Sequence, residues 1–333
     1  LRKLISIFLF VFLCSVIKIG AQDMQFTQFN AAPLYLNPAF TGSTIQHRFA
    51  SIYRNQWTAI PGHYNNFAFS YDYNLADMNS GLGLVFAREQ AGTAGLSTTE
   101  LGLLYSYRFL LKKQVYIQAG LKFNYIRTGI NFSELVFNDQ LYTDGAATTE
   151  SLLLQNTSYL DLTSGVLIYS SKFWGGIAVN HMNQPNQSLT NNESPLYLKL
   201  SMHGGYKFDI DDGNKRSAAK YFNLAFHYKA QHKFDQLDLG VYYTQEPLVF
   251  GLWYRGIPLV KSYQGVLNND AVAIILGYVI PESNLSIGYS YDATISRLVS
   301  SSAGSHEISI IYEVASKRKK KRNRKFFAPC AKF

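Results

Sequence analysis

The chain has 333 residues, 47% hydrophobic but only 16% charged, and its 24 Tyr and 23 Phe help lift the aromatic share to 15%. Mean hydropathy is −0.07, and past the N-terminus no stretch reaches the roughly 18 apolar residues a membrane helix needs, which excludes a helical membrane protein; the two cysteines, Cys14 and Cys330, are too few for a disulfide scaffold. The net charge of +9 raises a nucleic-acid partner, a question that only the location of the charge can decide.

Arg2 and Lys3 precede an apolar run from Leu4 to Ile17, and Ile19-Gly20-Ala21 then offers a small residue before Gln22. This reads as a secretory signal peptide over 1–21, cleaved after about Ala21. The run is short for a spanning helix, and Cys14 lacks the small residues that a lipoprotein site wants just before it. Residues 22–44 follow, with Pro33 and Pro38 inside an apolar stretch. Two prolines argue against a helix interior or a central strand. Three placements stand for this segment: folded into a lumen, along the periplasmic mouth, or against a partner.

From about residue 45 the pattern has period two. Phe67, Phe69, Tyr71 and Tyr73 share one face of a strand, and Ala68, Ser70, Asp72 and Asn74 the other. Val115, Ile117, Ala119, Leu121, Phe123 and Tyr125 alternate with Tyr116, Gln118, Gly120, Lys122, Asn124 and Ile126, long enough to cross a bilayer. Leu285, Ile287, Tyr289 and Tyr291 likewise oppose Ser286, Gly288, Ser290 and Asp292. A water-soluble sandwich also alternates, but its solvent face carries more Lys and Glu than this one. The expected fold is therefore all-β, a transmembrane antiparallel β-barrel of about 14 strands with periplasmic termini, spanning 45–316. Strands are expected near 45–57, 64–74, 81–88, 97–109, 114–127, 160–170, 172–182, 196–208, 220–230, 234–243, 247–255, 270–279, 284–292 and 305–313.

Connector lengths test the count, because bacterial barrels pair short periplasmic turns with longer external loops. Turns near 110–113, 170–172, 244–247 and 280–283 fall on one side. Loops expected at 128–159, 183–195, 256–269 and 293–304 fall on the other. The short 231–233 and the polar 209–218 break the pattern, and a miscounted strand pair there would restore it.

The end of the chain, 317–333, opens with Lys317, Arg318, Lys319, Lys320, Lys321, Arg322, Arg324 and Lys325 around Asn323. With Lys332 this tail carries +9, the signal carries +3, and the remainder is −3. The basic excess is thus a local arm, either solvated or docking to a periplasmic partner, the anionic cell wall or lipid phosphate. A secreted barrel would not meet nucleic acid in the envelope.

Neither a phosphate loop, a dinucleotide fingerprint nor a nucleophile elbow occurs. His306-Glu307-Ile308-Ser309-Ile310 begins like a zinc-protease motif, but on a strand His306 and Glu307 face opposite ways. The seven histidines lack ligand spacing. Neither catalytic residue, metal nor cofactor is expected.

Certain blocks carry a resemblance. Pro33-Leu34-Tyr35-Leu36-Asn37-Pro38-Ala39-Phe40, then Tyr53-Arg54-Asn55-Gln56-Trp57, then Gly304-Ser305-His306-Glu307-Ile308-Ser309 and the terminal Pro329-Cys330-Ala331-Lys332-Phe333 resemble the PorP/SprF family of the type IX secretion system, across the whole mature chain. The resemblance implies a non-enzymatic outer-membrane barrel of Bacteroidota, serving secretion and gliding motility. It also implies help in exporting or anchoring large cargo proteins with a C-terminal sorting domain. Implied partners are outer-membrane lipid, that cargo, the periplasmic ring lipoprotein and its companion, and a peptidoglycan-associated protein. External loops, above all 128–159, suit a cargo platform. Arg54 and Trp57 either shape the mouth or serve as a salt-bridged interior Arg and an interfacial Trp. A general porin and a secreted all-β adhesin are the alternatives.

Overall fold

The computed structural model describes residues 23–112, 114–131, 135–142, 156–190, 192–211, 219–263, 266–296 and 303–314. The expected signal peptide and basic tail lie outside the described residues. The first strands are β1 (His47–Gln56), β2 (Tyr64–Leu75), β3 (Ser80–Ala91), β4 (Leu96–Lys112) and β5 (Val115–Gly129). Then come β6 (Asn156–Tyr169), β7 (Phe173–Asn180), β8 (Lys199–Asp211), β9 (Lys220–Gln231) and β10 (Phe234–Gln245). The last are β11 (Leu248–Tyr263), β12 (Val266–Ile280), β13 (Leu285–Thr294) and β14 (Ser305–Val314).

Each strand pairs antiparallel with its sequence neighbours, and β1 pairs with β14 to close a 14-stranded barrel. Closure leaves no open edge of unpaired backbone groups, which is what permits strands to cross hydrocarbon. His47 opposite Val314 puts the start and the end of the wall at one rim. Short turns such as 170–172 and 281–284 lie at that rim, and the long connections 130–155 and 181–198 lie at the other.

Side-chain alternation sets the two faces. Phe67 and Phe69 on β2, Leu101 and Leu103 on β4, and Phe123 and Tyr125 on β5 point outward and are exposed, while Asn66, Asp72, Ser106 and Asn124 point inward and are buried. Leu103 is 61% exposed and Phe123 56%. So wide an apolar exterior is foreign to a soluble monomer and suits a lipid-facing band.

Two expectations about connectors change. Residues 256–269 are not a loop: β11 and β12 continue as a hairpin whose last pairs are Ser262 with Leu267 and Tyr263 with Val266. Pro258, which lacks a ladder donor, falls in the bulge between Ile257 and Ser262, so the pairing resumes beyond it. Nor is a strand pair miscounted around 209–233. β8, β9 and β10 pair directly, and His232 and Lys233 make a tight turn, His232 having a left-handed φ of 53°.

Candidate functional site

The lumen is occupied by the chain itself. Residues 23–44 run from the long-loop rim, where Asp23 meets His181, Lys199 and Gln231, to the short-turn rim, where Thr44 precedes β1. Every residue from Phe26 to Thr44 except the half-buried Tyr35 is buried. The prolines dictate the local form. A 3-10 turn at Phe29–Ala31, one helical turn at Pro33–Leu36 and a second 3-10 turn at Pro38–Phe40 each stop after three or four residues. Pro33 and Pro38 each open a turn, where a missing N–H costs nothing.

The middle of this plug is an apolar core inside the barrel. Phe29 packs on Trp253 and His227 with ring centroids 4.9 and 5.3 Å apart, and Phe40 packs on His203 and Trp174 at 5.5 and 5.9 Å. Leu34, Leu36, Ile52, Val85 and Leu167 belong to the same cluster. Each fully buried large side chain contributes about 1.5–3 kcal/mol.

Asn37 ties the plug to the wall. Its Oδ1 accepts from the Ala39 N–H at 2.8 Å, capping the second turn, and its Nδ2 lies 3.3 and 3.2 Å from the Val166 and Ile177 carbonyl oxygens and 3.0 Å from His203 Nε2. The wall is glycine where the plug comes nearest. A Cβ on Gly165 would lie 2.0 Å from Asn37 Oδ1, and one on Gly120 2.4 Å from the Ala39 nitrogen. Nearer the short-turn rim, Asp72 accepts from the Gly42 N–H at 2.7 Å and pairs with Arg48 at 2.8 Å, while Ser106 and Gln118 both donate to the Thr41 carbonyl at 2.6 Å.

A charged hub holds the segment on the other side of the core. The Glu307 carboxylate accepts from two successive backbone N–H groups, Thr27 at 3.0 Å and Gln28 at 2.7 Å. Arg54 and Arg255 each donate to Thr27 Oγ1 at 2.7 Å, and that hydroxyl donates to Asp292 at 2.6 Å. Arg54 also pairs with Asp292 at 2.8 Å and Glu307 at 3.1 Å, and Arg255 with Asp292 at 3.1 Å. Charges this deeply buried persist because each has opposite charge and hydrogen bonds around it.

Asp23 forms the outermost anchor. It pairs with Lys199 and with His181 at 2.8 Å, and His181 reaches Asp161 at 3.0 Å through its other nitrogen. Burial alone would lower the His181 pKa, but the Asp23 and Asp161 carboxylates outweigh it and raise it to about 9. Above the plug opens a vestibule of about 460 Å³ whose lining includes Asp23, Gln25, Trp57, Lys199, Lys229 and Asp270. Its mixture of both charges, amides and an indole suits a polypeptide segment better than a small apolar solute.

Of the residues singled out in the sequence, Arg54, Gln56 and Glu307 are brought together at the barrel's closing seam. Arg54 is the register partner of Glu307, and its Nε donates to Gln56 at 3.2 Å. Asn37 and Pro38 lie deeper in the lumen. Tyr53 faces outward and donates to Asn65 at 3.0 Å, Asn55 is half-buried opposite His306, and His306 lies outside the wall, 2.8 Å from the Tyr289 hydroxyl. Trp57 lines the vestibule, following β1 with a left-handed φ of 61°. Lys317 to Lys325 lie outside the described residues. Sequence reasoning missed Asp23, Thr27, Gln28, His181, Lys199 and Arg255. Asp292 was legible as an acid on the small-residue face, but its partners were not. Among the described residues no group of three His, Cys, Asp or Glu side chains is placed to hold a metal ion.

A closed barrel with an apolar exterior and a lumen filled by its own N-terminal segment defines a plugged transmembrane β-barrel of the outer-membrane type. The profile of the family described as type IX secretion system membrane protein PorP/SprF matches residues 19–312, and the chain belongs to that family. It is accordingly an outer-membrane component associated with the type IX secretion machinery and its cargo, and its family is not a known enzyme family. No curated protein matches it by sequence. Solved structures similar to it include the Acinetobacter baumannii outer membrane protein Omp33, 8% identical with a TM-score of 0.41, covering 82% of this chain and 100% of that one. The CymD monoaromatic hydrocarbon channel is 12% identical with a TM-score of 0.43, covering 86% and 93%. The P. putida toluene transporter TodX is 8% identical with a TM-score of 0.44, covering 84% and 93%. Each of these likenesses is of one barrel to another.

Proposed function

We propose that the barrel is a closed outer-membrane platform that assists export or surface anchoring of specific large cargo proteins carrying a C-terminal sorting domain. The supporting observation is the plug: buried from Phe26 to Thr44 with one exception, it fills the space that a diffusion porin keeps wet. In this reading the short-turn rim faces the periplasm and the long-loop rim the exterior, as short and long connections are arranged in bacterial barrels. The vestibule and the external loops, 128–159 above all, take the cargo, with Trp57 at the mouth. The signal is cleaved after about Ala21, so that Asp23, which lines the vestibule, lies close to the mature N-terminus. The basic tail, Lys317 to Lys325, reaches the periplasmic ring lipoprotein and its companion, or the peptidoglycan-associated protein.

Deleting the gene and profiling the cell surface tests this reading. Loss of one or a few sorting-domain proteins is expected; unchanged export of all of them together with lost solute permeability would establish the porin alternative. In planar bilayers the intact chain is expected to be silent and a chain lacking residues 23–40 to conduct. For the tail, a chain ending at Ser316 is expected to recover less ring lipoprotein in a pull-down, and equal recovery would retire the docking arm.

A further inference from the structure

Two arginines face outward just beyond the apolar band. On β3, Leu82, Leu84, Phe86 and Arg88 share the outer face; on β5, Leu121, Phe123, Tyr125 and Arg127 do. Strand register places them in one row, Arg88 opposite Thr99 of β4 and Thr99 opposite Arg127. The row one pair nearer the bilayer centre is Phe86, Leu101, Tyr125 and Leu160. Two strand spacings separate the arginine backbones by about 10 Å.

Both arginines are exposed, and among the described residues neither guanidinium has an ion-pair or hydrogen-bond partner. The acids on these strands are turned the other way. Glu89 accepts from the Tyr64 hydroxyl at 2.6 Å, and Glu100 pairs with Lys122 at 2.7 Å inside the barrel. The outward positive charge is therefore uncompensated by the wall. Between the arginines opens a polar cleft of about 620 Å³, lined also by Gln90, Ser97, Asn131 and Asn156.

We propose that Arg88 and Arg127 form a binding site for the phosphorylated headgroup of lipid A, the lipopolysaccharide anchor of the outer leaflet, whose acyl chains lie on Leu101, Phe123 and Tyr125. The position selects a lipid, because the cleft opens sideways above a lipid-facing band rather than into the vestibule. The chemistry selects phosphate, because planar guanidinium forks match its oxygens and Gln, Ser and Asn supply neutral hydrogen bonds around them. Phe86 and Tyr125 in the row beneath are aromatic residues of the kind that mark the interface at which headgroups begin. Assignment to the outer leaflet rests on the orientation proposed above, and the test uses no cargo, so that its failure leaves the secretion reading untouched.

Purified full-length barrel in detergent is titrated with lipid A, with dephosphorylated lipid A and with inorganic phosphate, and bound lipid is counted by native mass spectrometry. Lipid A is expected to bind at least tenfold more tightly than its dephosphorylated form. It is also expected to bind at least tenfold more tightly than to the Arg88→Ala/Arg127→Ala barrel, with the Arg88→Lys/Arg127→Lys barrel between the two. Equal binding of both lipid forms to the unaltered protein overturns the proposal, and that arm stands even if the double variant fails to fold. Complete displacement of lipid A by an equal concentration of inorganic phosphate also overturns it, since the acyl contacts would then contribute nothing. So does a well-folded double variant that binds lipid A as tightly as the unaltered barrel, which would leave the arginines no part in holding the headgroup.

Discussion

The two ends of the plug are held by different physics. From Asn30 to Thr44 the segment is fixed chiefly by apolar packing and by approach so close that the wall must be glycine, as at Gly120 and Gly165, with the Arg48–Asp72 pair adding one ionic contact at Gly42. From Asp23 to Gln28 it is fixed chiefly by ionised side chains of the wall and of one connection: Glu307, Arg54, Arg255 and Lys199 on strands, and His181 just after β7. Packing of the first kind is indifferent to pH and salt. Contacts of the second kind depend on the protonation of groups close to the mouth, so the outer end can be loosened while the inner end stays seated. A plug anchored this way is a permanent core element at one end and a latch at the other.

Four experiments rank the contrast. Phe29→Ala or Phe40→Ala removes a ring from the core and is expected to cost about 3–5 kcal/mol, read as a lowered urea midpoint of tryptophan fluorescence, for which Trp174 and Trp253 lie beside the lost rings. Arg54→Met leaves Glu307 without its guanidinium; because Arg255 still faces Asp292, the loss is expected at the low end for a broken buried pair, about 3 kcal/mol. Gly120→Ala pushes the wall into the Ala39 backbone and is expected to cost about 1–3 kcal/mol. A Gly120→Ala barrel as stable as the parent would mean that the inner half gives way easily, and the contrast would fail there.

The smallest effect is local. His181, raised to about 9 in the folded barrel from an ordinary 6.5, stabilises docking fully below its unfolded value, and that contribution is lost as pH rises through about 9. Hydrogen exchange of residues 23–28 is therefore expected to accelerate between pH 7 and 10 beyond the intrinsic base-catalysed rate, with residues 33–44 remaining protected. Asp23→Asn is expected to cost about 1 kcal/mol and to flatten that pH dependence. Loss of protection along the whole of 23–44 at once would show the plug to be a single unit.

Strand recognition from the sequence succeeded because two-fold alternation of aromatic with small polar residues is a local signal, repeated independently in each strand. It failed at 256–269, where Gly256, Ser262, Gly265, Asn268 and Asn269 read as loop chemistry. The bulge that accommodates Pro258 depends on the facing strand β12. The Tyr53-to-Trp57 and His306-Glu307 blocks were visible as blocks, but that Arg54 and Glu307 are register partners requires closing a barrel over some 250 residues of chain. Thr27 and Gln28 carried no signal, since the groups they bond, Asp292, Ser290, Glu307 and Ser309, lie on β13 and β14 at the far end of the chain.

Period and composition alone thus determined the class of fold, the strand count, which face meets lipid, and the location of the basic charge in the last 17 residues. All of these depend on neighbours a few positions apart. Only the tertiary structure decided that residues 23–44 enter the lumen, that the small-residue face includes glycine to admit them, and that two arginines with two acids on four strands converge on one threonine. Those outcomes depend on groups hundreds of residues apart meeting across a closed sheet, where burial raises the cost of any unmatched charge and so selects the one arrangement that pairs them all.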